Sequence, residues 1–194
     1  MALLLGIDKN TIDLTSAGLG KYELIDQKDK YHAKAEICRK LKKIDAKEKQ
    51  NIIKLISEKS GGNIDAGVRE MFAGLNWSQV LELYAAGIIN FGAHTINHEI
   101  LSRLSVLEMS REIKESKEII ERETGIPIRH FAYPNGTRDD FNDTVKGIVA
   151  QYYDCALTTI EGLNKSGDDL YELKRINVGN DMDILRFKMS LIGL

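Results

Sequence analysis

Two histidines four residues apart, His94 and His98, stand in the segment Gly92-Ala93-His94-Thr95-Ile96-Asn97-His98. A neutral imidazole offers one lone pair to a metal ion, and a helical turn or a tight loop can aim two residues at this spacing toward one ion. Zinc and the other late first-row ions suit such donors. Further along, Phe131-Ala132-Tyr133-Pro134-Asn135-Gly136 is a short apolar run that ends in a Pro-Asn-Gly turn. It reads as a strand end feeding a loop. Two imidazoles supply only part of a catalytic zinc site, which takes three protein ligands and an open position for water. A pair of ordinary core or surface histidines is the simpler alternative.

The elements around both segments place them where ligands bind. Asn76-Trp77-Ser78-Gln79 caps a helix with Val80, Leu81 and Tyr84 inward and Gly87 at its end. Residues 88–93 read as a buried strand running straight into the histidines. Ser105-Val106-Leu107-Glu108 is a capping box opening a long helix, whose stripe is Met109, Ile113, Ser116 and Ile120 and whose stop is Gly125. Strands are expected over residues 129–133, 154–158 and 171–178, helices over 142–152 and 184–191, and a polar loop over 162–169. Strands alternating with helices argue an α/β fold with a parallel sheet, open or closed into a barrel. In such folds the loops after strands face the ligand.

Together the two segments resemble the polysaccharide deacetylase family, the one with the NodB-homology domain. Its His-Ser/Thr-x-x-His motif matches His94-Thr95-Ile96-Asn97-His98, and its aromatic-x-x-Pro-x-Gly motif matches the segment ending Pro134-Asn135-Gly136. Residues 76–136 carry the likeness best. Leu173-Lys174-Arg175-Ile176 is similar to a late strand of some members. The resemblance implies an incomplete (β/α) barrel, preceded by a mainly helical segment. The implied activity is metal-dependent hydrolysis of N-acetyl or O-acetyl groups on a carbohydrate, the N-acetyl case being attack on a non-peptide carbon–nitrogen bond. It implies His94 and His98 as ligands of a divalent metal, by preference zinc. It also implies Tyr133 and Pro134 as substrate-lining residues and the Asn135 N–H as an oxyanion donor.

The chain departs from the family pattern at several points. The family opens with a strand ending Asp-Asp, which supplies the base and a third ligand, and no such strand is found here. Ala132 stands where many members carry arginine, and Asn135 where many carry tyrosine. No Leu-x-His motif follows near the C-terminus. Asp139, Asp140, Asp181 and Asp183 lie near the right loops, although helix capping explains each more simply; Asp168 and Asp169 read as solvated. His130 reads as structural and His32 as a surface residue. The chain is therefore expected to be a truncated deacetylase, weak in metal and activity, or a catalytically inactive relative that binds a glycan or a partner. An exposed sheet edge follows, to be covered by residues 1–75 or by a second copy of the chain.

The rest of the sequence sets bounds. At 194 residues, the chain suits one domain, with residues 1–75 as a mainly helical segment packed on a core formed by residues 76–194. Residues 7–28 read as loop with a short strand near Tyr22-Glu23-Leu24. Residues 29–43 form a helix with Tyr31, Ala35, Cys38 and Leu41 on one face. A capping box from Asp45 to Glu48 opens a second helix with Ile52, Ile53 and Ile56 inward, and residues 65–72 a further short one. A net charge of −2 argues against nucleic acid as a partner. No segment is apolar for long enough to span a membrane, and Met1 to Leu5 is too short for a signal core, which leaves the compartment open. Cys38 and Cys155 form no CxxC and read as free thiols.

Overall fold

The computed structural model describes residues 9–42, 44, 46–60, 74–179 and 182–193. They fall into two compact units, Met1–Leu75 and Asn76–Leu194, each with its own apolar core. The expected cap at Asp45, the expected helix over residues 65–72 and Asp181 lie outside the described residues. None of the described helices is long and apolar enough to cross a membrane.

In the first unit, strands β1 (Thr11–Asp13) and β2 (Lys21–Glu23) form an antiparallel hairpin with Ile12 opposite Tyr22. Alternation turns these two side chains inward. Helix α1 (Gln27–Leu41) starts at a reciprocal box between Asp26 and Asp29. Its buried stripe is Ala33, Ile37 and Leu41, while Tyr31 is exposed and Cys38 half-buried. The expected face was thus rotated. The stripe holding both Ile37 and Leu41 buries more apolar surface than one built on Tyr31 and Cys38, and it wins. Helix α2 (Ala46–Lys59) buries Ile52 and Ile56.

The second unit begins with α3 (Trp77–Ala85), held by the Asn76–Gln79 box. Helix α4 (Val106–Thr124) starts at the Ser105–Glu108 box and stops at Gly125 in the left-handed region. Strand β3 (His130–Ala132) follows, then α5 (Asp143–Val149), β4 (Cys155–Glu161), β5 (Leu173–Arg175) and α6 (Ile184–Leu191). The strands make a three-stranded parallel sheet in the order β3-β4-β5, with Phe131 opposite Ala156. Phe131 and Ala156 are fully buried; they share a core with Met109 and Ile113 of α4 and with Val145 and Val149 of α5. On the other side of the sheet, His130 is exposed and Ala132, Cys155 and Leu157 are only half-buried.

Two expectations fail in this unit. Residues 88–93 do not form a strand: Ile88 is 86% exposed, and only Ala93 pairs, through a single parallel bridge to Phe131. Beyond Ala93 no pairing to β3 is made, and Ile88 and Ile89 stay exposed. On α3 only Val80 is buried, and Leu81 and Tyr84 remain exposed. What results is an α/β fold of the incomplete (β/α) barrel type, with the Ala93 bridge as the fourth parallel element.

Candidate functional site

Gly92 sets the site's position. A Cβ there would lie 2.9 Å from the His130 carbonyl oxygen, so only glycine lets the segment approach β3 this closely. The approach is fixed by Ala93 N–H donating to His130 O and Ala132 N–H donating to Ala93 O, both at 2.9 Å. The next residue, His94, then places Nδ1 2.7 Å from the Ala132 carbonyl. A carbonyl only accepts, so Nδ1 carries the proton and Nε2 keeps its lone pair for a ligand. His94 is exposed on its outer side. The packing behind it desolvates the imidazolium and holds its pKa below the usual histidine value, against the Ala132 carbonyl; the nearby His98 and Arg175 push the same way.

His98 comes back to His94 through a loop, not a helix. Thr95 and His98 both lie in the left-handed region, at φ 63° and 57°. The two rings meet edge to face with centroids 4.8 Å apart. Each left-handed non-glycine residue costs roughly 1–2 kcal/mol. The offset comes from Glu112 on α4. Its carboxylate accepts the N–H groups of Ile96 and Asn97, both at 2.9 Å, and the Asn97 side-chain amide at 2.6 Å. Hydrogen bonds to a charged acceptor contribute about 1.5–3 kcal/mol each, enough to hold the loop. Sequence reasoning missed Glu112. The available signal was a carboxylate between Met109 and Ile113, inside the apolar stripe.

The second segment supplies backbone. Asn135 and Gly136 are both left-handed, at φ 58° and 70°. A Cβ on Gly136 would meet the Thr159 nitrogen at 2.9 Å, and that N–H donates to Gly136 O. The turn is thereby locked to β4. The Asn135 N–H has no hydrogen-bond partner among the described residues, as a donor held ready for an oxyanion requires. Pro134 is buried. Tyr133, expected to line the substrate, turns into the core instead. Its ring stacks on Phe141 with centroids 4.4 Å apart and its hydroxyl donates to the Tyr171 carbonyl at 2.8 Å. Alternation explains this, since Tyr133 falls on the same face as Phe131.

Of the other candidate aspartates, Asp140, Asp168, Asp169 and Asp183 are engaged locally. Asp140 closes the turn after Gly136 by accepting the Thr137 N–H at 2.9 Å. Asp183 caps α6 through Arg186 N–H. Asp169 pairs with Lys146, and Asp168 accepts the Lys165 N–H. Asp139 is exposed, with its main-chain carbonyl taking the Ser102 hydroxyl. His130 and His94 both border an open, mostly apolar cleft of about 470 Å³, together with Gly92, Ala132 and Leu157. Among the described residues no group of three His, Cys, Asp or Glu side chains converges as a metal site. The histidine pair fits two ligands of a divalent ion and falls one short of a catalytic zinc's three.

A family model for polysaccharide deacetylases matches residues 34–153. The chain belongs to the polysaccharide deacetylase family. Solved deacetylases share its architecture. The Streptococcus pyogenes deacetylase PplD, determined with acetate, is 28% identical, with a TM-score of 0.57 over 72% of this chain and 63% of its own. The polysaccharide deacetylase BC0361 from Bacillus cereus is 28% identical, with a TM-score of 0.55 over 62% of this chain and 37% of its own. The putative polysaccharide deacetylase BA0330 from Bacillus anthracis is 29% identical, with a TM-score of 0.55 over 62% and 38%. This deacetylase-family chain therefore spans less than two thirds of each of them. No curated protein matches it.

Proposed function

We propose that this polysaccharide deacetylase-family chain carries part of a site that removes acetyl groups from a carbohydrate, with His94 and His98 holding a divalent metal. The observation that carries the reading is the histidine pair itself: two rings 4.8 Å apart, with Nδ1 of His94 engaged by a backbone carbonyl and Nε2 left for a ligand. Zinc fits the donor chemistry best. Such an ion, when bound, supplies Lewis-acid polarisation of an acetyl oxygen. The chain's own residues orient: β3 positions His94, Glu112 positions the loop to His98, and the free Asn135 N–H is offered to an oxyanion. The cleft beside His94 gives the carbohydrate's acyl group an apolar wall.

One observation favours a second reading, a deacetylase-like domain that binds a glycan without turnover. No third ligand joins the two imidazoles among the described residues, and Asp140, Asp168, Asp169 and Asp183 are each held by a local hydrogen bond or ion pair. Metal content after dialysis and acetate release from an N-acetylated oligosaccharide separate the two readings. With two imidazoles alone, metal is held weakly and acetate release is small, since a missing general base typically costs about 10²–10⁴ in rate. Acetate release that His94→Ala abolishes establishes the enzyme; glycan binding without release, retained in His94→Ala, establishes the second reading.

A further inference from the structure

We infer that Glu112 is the positioning residue of the metal-binding loop, a buried carboxylate whose role is to hold His94 and His98 in one geometry. Glu112 is only 8% exposed and sits in the apolar stripe of α4. A carboxylate buried there is costly unless it is paired or well hydrogen-bonded. No lysine or arginine pairs with it among the described residues. Its partners are three N–H donors, all from Ile96 and Asn97, the two residues midway between the histidines.

The loop has little else to hold it. The Thr95 hydroxyl is buried with no hydrogen-bond partner. The backbone amides of Ile96 and Asn97 bond only to Glu112 among the described residues. Helix α4, in contrast, is fixed at its start by the Ser105–Glu108 box and along its length by Met109 and Ile113 in the core. The carboxylate thus transmits the helix's rigidity to a loop with a left-handed residue on either side of the clamped pair. This is the kind of supporting contact that fixes ligand orientation at metal sites. The inference rests on the proposed metal reading only for its consequence, not for the clamp.

Amide exchange and ring-to-ring NOEs in the metal-free chain test the clamp, and Co²⁺ titration tests its consequence. In Glu112→Ala, the Ile96 and Asn97 amides should exchange ~10- to 100-fold faster. The His94–His98 ring NOEs should vanish, and the Ala132 amide, bonded within the sheet, should stay protected. Glu112→Gln should retain protection, because its carbonyl oxygen can accept both backbone N–H groups while the Asn97 amide turns over. Its Co²⁺ affinity should stay near that of the parent, whereas Glu112→Ala should lose on the order of tenfold or more. Asn97→Ala removes one donor without touching α4 and should shift exchange the same way by less, which keeps the test open if Glu112→Ala does not fold. Ile96 and Asn97 amides that exchange freely in the parent chain, or ring NOEs and Co²⁺ affinity that survive Glu112→Ala, overturn the inference. A parent chain that takes up no Co²⁺ at His94 and His98 overturns the metal reading instead, and amide exchange still decides the clamp.

Discussion

Replacing Gly92 by alanine should strain the site, whereas the same replacement at Gly147 should stabilise the chain. The Gly92 Cβ would stand 2.9 Å from the His130 oxygen and 3.4 Å from its carbon, both backbone atoms that cannot swing aside. The segment must retreat by a few tenths of an ångström. Retreat stretches the Ala93–His130 and Ala132–Ala93 bonds and the His94–Ala132 contact that they set up. Overpacking costs about 1–3 kcal/mol and stretching the two backbone bonds without breaking them adds up to ~0.5 kcal/mol each, so a loss of about 1–4 kcal/mol is expected. That is well below the roughly 5–15 kcal/mol that holds a typical domain, so the variant should still fold. Gly147 lies on the exposed face of α5 with no heavy atom within 4 Å of an added Cβ. Alanine there should gain about 0.5–1 kcal/mol. Urea unfolding followed by circular dichroism measures both, with an unchanged slope showing that stability alone has moved. If Gly92→Ala unfolds at the same urea concentration as the parent, the close approach of this segment to β3 is wrong, and with it the placement of His94.

Two further outcomes follow from the same structure. Tyr133→Phe keeps the stack on Phe141 and loses only the hydroxyl bond to Tyr171; it should cost ~0.5–1.5 kcal/mol and leave zinc binding unchanged, and lost zinc binding would return Tyr133 to the site. The hydrogen bond from Lys146, with the Tyr171 N–H, holds the Asp169 carboxyl below its ordinary value of 3.8. Its contribution is therefore present above that pH and is lost as pH falls through the lowered folded value. Asp169→Asn should flatten the acid limb of the stability profile below about pH 4 and cost at neutral pH only the ~0.2–1 kcal/mol of a solvent-screened pair; an unchanged acid limb would show that the pair is not formed.

Local chemistry was legible in the sequence and pairing across the chain was not. The boxes at Asn76 and Ser105 and the stop at Gly125 formed as read, because each needs only residues within a turn of one another. The order of helices and strands from α3 to α6 followed from hydrophobic period. The segment over residues 88–93 failed because a strand is made by pairing, and an apolar run does not reveal how much of it will pair; here only Ala93 does. Tyr133 was misplaced because it stands beside the motif's proline, whereas the strand's alternation puts it on the face of Phe131 and turns it into the core. Glu112 was marked only by its place between Met109 and Ile113 on the apolar stripe; its partners could not be read, because they come from a loop that precedes the helix in the chain.

The most direct test of the account is a zinc titration followed through the four histidines by NMR of ¹⁵N-labelled imidazoles. His94 and His98 should respond together, His94 through Nε2 with its Nδ1 remaining protonated, while His32 and His130 stay unmoved. A response centred on His130, or none at His94 and His98 at any zinc concentration that leaves the protein folded, would contradict the assignment of the metal to this loop.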